Sequence, residues 1–293
     1  MDIPLTATPA VAEISMTALL AAHDGVLLDA YGVLVDASGA LPHAAALIAH
    51  LNASRTPYCI VTNDASRSPT TCAARFASLG LAITAERVTT SGDLIGDYFA
   101  THQLAGARTL VLGTDDSRAY VRASGGDVLP LEPGVDADVI AVCDDAGFPF
   151  LQGAELALSA ALRRLDAGRA IHLLLPNPDI VYPKSSTEMG FTSGAIALMI
   201  ETALARRFAS APPKFARLGK PAGALLQRGA ARLRAGGANV ARIVMIGDQL
   251  ETDIAAAHAA GLPSALIAGV SRWTGARSDV AAPTYVLPSL ALT

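Results

Sequence analysis

Two periodicities alternate along the chain. Short apolar runs that end in polar residues, GVLLD (25–29), YCIVTN (58–63), FARLGK (215–220), RIVMIGD (242–248) and SALIAG (264–269), have the length and composition of fully buried strands. Segments of helical period lie between them at 43–53, 69–79, 221–235 and 251–260. This alternation predicts a parallel sheet covered by helices on both faces. In such a sheet the carboxyl ends of the strands converge on one crevice, where ligands bind. Asp29, Thr62, Lys220 and Asp248 each stand at such an end.

A second block, from about 101 to 182, repeats the pattern: RTLVLG (108–113), a helix, DVIAVCDD (138–145), a helix over 152–166, and IHLLLPNPD (171–179). Pro, Gly and Asp cluster at its seams, 130–136 and 176–183. Core-type strands resume after it. The expected fold class is therefore α/β, with a doubly wound parallel Rossmann-like core (1–103 and 184–293) and an inserted α/β cap domain (104–183). Hinges are expected near 101–105 and 180–190, which would make the insert a lid.

Composition narrows the function classes. Apolar residues make up 52% of the 293, yet no run reaches the ~18 uninterrupted apolar residues of a membrane span. The nearest, 194–205, is cut by Glu201 and Thr202 and reads as a buried amphipathic helix. A net charge of −4 without a basic cluster argues against nucleic-acid and anionic-membrane partners. No Lys or Arg precedes Arg55, so the basic start of a secretory signal is missing and a cytoplasmic location is expected. Cys59, Cys72 and Cys143 have no metal-ligand spacing and read as reduced core residues.

Several of the strand-end residues carry chemistry. Asp29 would aim its carboxylate into the crevice, although an Asp after a strand also caps turns. Thr62 and Asn63 would offer a hydroxyl and backbone N–H groups to an anion. Lys220, in GKP, stands before a helix predicted to start at Pro221; a cation beside that positive helix end calls for an anionic neighbour. Asp248 and Asp253, in IGDQLETDI, could each cap a helix. Three carboxylates converging with one lysine repel strongly unless a cation joins them, and an all-oxygen site suits Mg²⁺.

In this order LLDAYGVL, IVTND, LGKP and IGDQLETDI resemble the four motifs of the haloacid dehalogenase (HAD) superfamily, specifically its NagD-like, 4-nitrophenylphosphatase-like branch (subfamily IIA). The similarity runs from about residue 25 to 270 and includes TSG (90–92) and NPD (177–179). The resemblance implies a Mg²⁺-dependent phosphatase acting on a small phosphorylated metabolite, a sugar phosphate or nucleotide-like ester. The chain itself leaves the oligomeric state open, a homodimer included. The resemblance also implies that Asp29 is the nucleophile and forms an aspartyl-phosphate. Thr62 and the N–H of Asn63 would hold the phosphoryl group, while Lys220 neutralises it and orients Asp29. Asp248, Asp29 and the carbonyl of Tyr31 would bind Mg²⁺, with Asp253 supporting them.

One position departs from the family. Two residues after the nucleophile these phosphatases place a second Asp, which protonates the leaving oxygen and later activates water; here it is Tyr31. A phenol with a pKa near ~10 is a poor base at neutral pH, and losing such a group typically costs about 10²- to 10⁴-fold. Slow turnover is expected, and a non-catalytic phosphometabolite-binding protein is the alternative from another class. DAYG also resembles the L-2-haloacid dehalogenases, which attack carbon without a metal and carry their insert between the first two motifs. Here Asp29 and Thr62 are only 33 residues apart, whereas 158 separate Thr62 from Lys220. In the cap, Asp144, Asp145, Phe148 and Phe150 read either as substrate-selecting groups or as a surface turn. His172 reads as structural.

Overall fold

The computed structural model describes residues 11–184, 188–236, 242–269, 271, 274–275 and 279–293. In chain order its strands are β1 (Ala12–Glu13), β2 (Gly25–Leu28), β3 (Tyr58–Thr62), β4 (Val88–Thr90), β5 (Arg108–Leu112), β6 (Asp127–Val128), β7 (Val139–Val142), β8 (His172–Leu175), β9 (Val181–Pro183), β10 (Met189–Phe191), β11 (Ala216–Arg217), β12 (Ile243–Gly247), β13 (Ser264–Ile267) and β14 (Tyr285–Leu287). The α-helices are α1 (Met16–Ala22), α2 (Ala44–Ala53), α3 (Pro69–Ser78), α4 (Leu94–Thr101), α5 (Asp115–Ala123), α6 (Phe150–Asp166), α7 (Ser193–Arg207), α8 (Ala224–Ala235) and α9 (Ala255–Ala259).

The first sheet is parallel, in the order β1-β14-β13-β12-β2-β3-β4. Every residue of β2, β3, β12 and β13 is buried, which explains why these strands read as unbroken apolar runs. Side-chain alternation divides β2 between two cores. Val26 and Leu28 pack with α1, α2 and α3, while Leu27 packs with α8 and α9. Asp29 follows at the carboxyl end of this central strand.

The second sheet is also parallel, in the order β11-β8-β7-β5-β6. Helices α6 and α7 cover one face, and Ile95 and Phe99 of α4 with Val121 of α5 cover the other. Two expectations are corrected here. FARLGK is not a strand of the first sheet, because Ala216 and Arg217 pair with Leu174 and Leu175 of β8. The insert does not end at 183, because α7 packs on the second sheet through Ile196, Ala197, Ile200 and Leu204. Glu201 ties the two together: it is 2% exposed, accepts the Phe215 N–H at 2.7 Å, and pairs with Lys214 and Arg217. Buried helix 194–205 was thus expected rightly, but apolar periodicity does not say which sheet a helix covers.

The chain passes between the sheets after β4, at 91–93, and again at 218–220, not at 101–105 and 180–190. Part of the second expected hinge, 185–187, lies outside the described residues. The loop after β3 is clamped to the second layer. Ser117 Oγ donates to the Ala65 carbonyl at 2.8 Å, Tyr120 OH to that of Arg67 at 2.9 Å, and Asp116 accepts the Ser68 N–H at 2.8 Å. Among the described residues no helix is long and apolar enough to cross a membrane.

Candidate active site

Asp29, Tyr31, Thr62, Asn63 and Lys220 line one cleft of about 430 Å³ at the carboxyl end of the first sheet. Asp144, Asp145, Asn177 and Asp179 face it from the second layer. Lys220 is 2% exposed, and its Nζ lies 2.7 Å from Asp29 Oδ1 and 2.7 Å from Asp253 Oδ1. Burial alone would drive the lysine toward its neutral form. The carboxylates of Asp253 and Asp29 reverse that and hold its pKa above the ordinary value. Burial pushes the Asp29 carboxyl well above its usual range; Lys220 opposes the shift, and Asp253 and Asp248 add to it.

Lys220 reaches this position by a route the sequence did not suggest. It ends no strand, and α8 starts at Ala224, not at Pro221. Asn63 holds it instead: Asn63 Oδ1 accepts the Lys220 N–H at 2.8 Å, and Asn63 Nδ2 donates to the Lys220 carbonyl at 3.1 Å. The same Nδ2 donates to Asp179 Oδ1 at 3.1 Å, and Ser91 Oγ donates to the Asn63 carbonyl at 2.6 Å. Asn63 therefore rivets β3, the 90–92 segment, the NPD segment and the lysine loop together. A Cβ at Gly219 would fall 2.5 Å from Asn63 Oδ1, so only glycine lets that loop approach.

Asp248 directly follows β12, and Asp253 lies in the wide helical turn Leu250–Ile254 that leads into α9. Both are fully buried. Asp253 commits both oxygens to protein: Oδ1 to Lys220, and Oδ2 to the N–H groups of Asp248 and Gln249 at 3.1 Å each. It positions its neighbours. Carboxylate oxygens of Asp29, Asp248 and Asp253 lie within 4.8 Å of one another. Three carboxylates against one ammonium leave two uncompensated negative charges, the charge of one divalent cation, and the oxygen-only donor set fits Mg²⁺. Gly32 (φ +90°) presses the backbone after Tyr31 against this group, since a Cβ there would lie 2.3 Å from Asp248 Oδ2.

Thr62 is 7% exposed, and its Oγ1 accepts the Asp64 N–H at 3.3 Å. Asp64 itself orders the loop: Oδ1 accepts from Ser66 N at 2.7 Å, and Oδ2 pairs with Arg67 at 2.8 Å. Burial, then the Asp36 carboxylate, raise the Tyr31 phenol above its ordinary pKa, while Arg75 lowers it. Of the four cap candidates, Asp144 and Asp145 reach the cleft. Phe148 packs on the core of the second sheet, and Phe150, 41% exposed, opens α6 away from the cleft lining. The three cysteines are buried and free, and burial pushes the thiols of Cys72 and Cys143 up to about 12. His172 Nδ1 lies 3.0 Å from the Tyr98 hydroxyl at the start of β8. Sequence reasoning missed Arg67, Arg75 and the reach of Asp179; of these only the Asp carried a signal, the NPD string.

Comparison with known proteins agrees with this construction. A family model of haloacid dehalogenase-like hydrolases matches residues 26–127, and a HAD-hydrolase-like model matches 217–293. D-glycerol 3-phosphate phosphatase of Mycobacterium tuberculosis is 32% identical over 243 residues, 82% of this chain. The chain spans 63% of that relative's length. The crystal structure of a possible sugar phosphatase from Cytophaga hutchinsonii superposes with a TM-score of 0.81 at 29% identity, covering 97% of this chain and 99% of that one. Glycerol phosphate phosphatase from M. tuberculosis, solved in complex with magnesium, gives a TM-score of 0.72 at 27% identity, covering 95% and 77%. The stretches matched by the two family models contain Asp29 and Thr62 in the first and Lys220 and Asp248 in the second, so the chain belongs to the haloacid dehalogenase-like hydrolases.

Proposed function

We propose that this chain is a Mg²⁺-dependent phosphatase that releases phosphate from a small metabolite, a sugar phosphate or nucleotide-like ester, through an aspartyl-phosphate on Asp29. The observation that carries the reading is the buried Lys220 ammonium 2.7 Å from Asp29, beside the Asp248 carboxylate and at the floor of a cleft that also holds Thr62. Asp29, Asp248 and the Tyr31 carbonyl would hold Mg²⁺, which supplies charge neutralisation for the phosphoryl oxygens when bound. An Asp29 oxygen attacks phosphorus as the ester P–O bond breaks. Thr62, the Asn63 N–H and Lys220 steady the charge on the transferring group.

The leaving oxygen then needs a proton, and the phosphoaspartate needs an activated water. Tyr31 keeps its proton at neutral pH, so it can donate a hydrogen bond but cannot act as a base. The first half-reaction should outrun the second. Mixing the protein with p-nitrophenyl phosphate and Mg²⁺ should therefore give a burst of about one p-nitrophenol per chain followed by slow release, and Asp29→Asn should show neither phase. Tyr31 also favours a second reading, a phosphometabolite-binding protein. That reading wins if no burst and no turnover occur while phosphate esters still bind. The carboxylate cluster and the insert between Asn63 and Lys220 speak against the 2-haloacid dehalogenase alternative.

A further inference from the structure

We propose that the side of the cleft between Tyr31 and α3 binds a second anionic group through Arg75, so that the substrate is a small phosphate monoester that also carries a carboxylate or another phosphate. The inference rests on the phosphatase reading, because Arg75 lines the same cleft as Asp29. Tyr31, Ala37, Cys72, Arg75 and Phe76 are among the residues lining that cleft, and Tyr31 packs in one cluster with Cys72 and Phe76. Cys72 is 4% and Phe76 2% exposed, which makes this wall of the cleft apolar. A guanidinium beside such a wall attracts an anion more strongly than it would in open water.

Of the other cations lining the cleft, Lys184 is exposed, whereas Lys220 and Arg67 are already matched. Lys220 is shared by Asp29 and Asp253, and Arg67 is paired with Asp64 at 2.8 Å. Among the described residues Arg75 makes no ion pair. The Asp36 carboxylate near Tyr31 is turned to its own loop, where Oδ1 accepts from Ser38 N at 2.7 Å, Ser38 Oγ at 2.6 Å and Gly39 N at 3.2 Å. The position of Arg75 near the end of α3 explains why a cation is tolerated there, but not why it lines the cleft. Residue 31 supplies the reason this chain can use it. An Asp there would put a negative charge beside Arg75, whereas the neutral Tyr31 leaves the guanidinium available to a ligand.

Calorimetric titration of the full-length Asp29→Asn protein, which cannot turn substrate over, tests the inference, with metal-free wild type as a second background. The paired probes are 3-phosphoglycerate against glycerol 3-phosphate, and fructose 1,6-bisphosphate against fructose 6-phosphate. In at least one pair the doubly anionic member should bind tenfold tighter or more, and the pair that shows it identifies the second anion. Adding Arg75→Gln should bring that ratio within threefold, with Arg75→Lys intermediate; a misfolded variant would weaken both members and leave no such selective loss. Ratios below threefold in both pairs, or a ratio that survives Arg75→Gln, would overturn the inference. Failure of the phosphatase reading shows elsewhere, as absent p-nitrophenol release by the wild type, and does not alter these affinities.

Discussion

Asp253→Asn isolates what the buried charge cluster does for the fold. The substitution is isosteric, so it opens no cavity and changes only charge and hydrogen bonding. Asp253 serves two sets of donors, Lys220 Nζ at 2.7 Å on one oxygen and two backbone N–H groups at 3.1 Å on the other. An amide can turn its oxygen to only one set. With the oxygen on the backbone groups, its NH₂ faces the ammonium; reversed, its NH₂ faces two N–H donors. Losing the charge-assisted bond costs about 1.5–3 kcal/mol, and the buried donor left without an acceptor about 1–3 kcal/mol more. Removing one of three clustered negative charges returns part of this, since Asp253 is one of the groups raising Asp29. The expected net loss is about 2–4 kcal/mol, a large share of the ~5–15 kcal/mol that holds a typical domain. Urea unfolding in EDTA at pH 7.5 should show a lower midpoint with an unchanged slope. A loss below about 1 kcal/mol would mean that Lys220 is adequately held by Asp29 alone, and the argument would be refuted.

Tyr31→Asp should raise steady-state phosphate release by about 10²-fold, most for esters with poor leaving groups; no gain across a broad panel would remove residue 31 as the cause of slow turnover. Burial, then the neighbouring Asp145 carboxylate, push Asp144 up to about 7, so the folded state holds this proton more tightly than the unfolded chain. A raised carboxyl contributes stability at low pH that is lost as pH rises through about 7, so Asp144→Asn should stabilise increasingly from pH 4.5 to pH 8, by about 2 kcal/mol over that span; a flat difference in urea midpoints would contradict it. Asp248→Asn should weaken Mg²⁺ binding about tenfold or more by calorimetry, and unchanged affinity would place the ion elsewhere. Glu201→Leu should cost about 2–3 kcal/mol and raise amide exchange at Phe215, because it removes the buried acceptor that fastens β11.

What could be read in advance followed from geometry that parallel sheets enforce. Strand ends converge, so Asp29, Thr62 and Asp248 could be placed together from their positions after apolar runs alone. Lys220 was named by its motif but for a wrong local reason, since its anchor is Asn63, 157 residues away in sequence. No periodicity reveals such a link. The allegiance of α7 and β11 was equally hidden, because a buried helix and a short apolar run look the same whichever sheet receives them. Arg75 was invisible for a third reason: a charged residue on a helix ordinarily faces water, and only the packing of α3 beside Tyr31 brings this half-buried one to the cleft.

The central place of β2 has a consequence for how the molecule is made. Its edge toward β3 can be satisfied early in synthesis, but its other neighbour, β12, begins only at Ile243. Until then a nascent chain carries an apolar strand with an unpaired edge, the kind of surface that recruits chaperones or other chains. The second sheet is delayed less, because β5, β6, β7 and β8 follow one another within Arg108–Leu175 and α7 and β11 complete it by Arg217. On a ribosome the insert should therefore gain protease resistance first, as an island within a host that is still open. A chain released before residue 242 would keep Asp29 and Lys220 yet lack both Asp248 and Asp253, and its central strand would stay unpaired on one side.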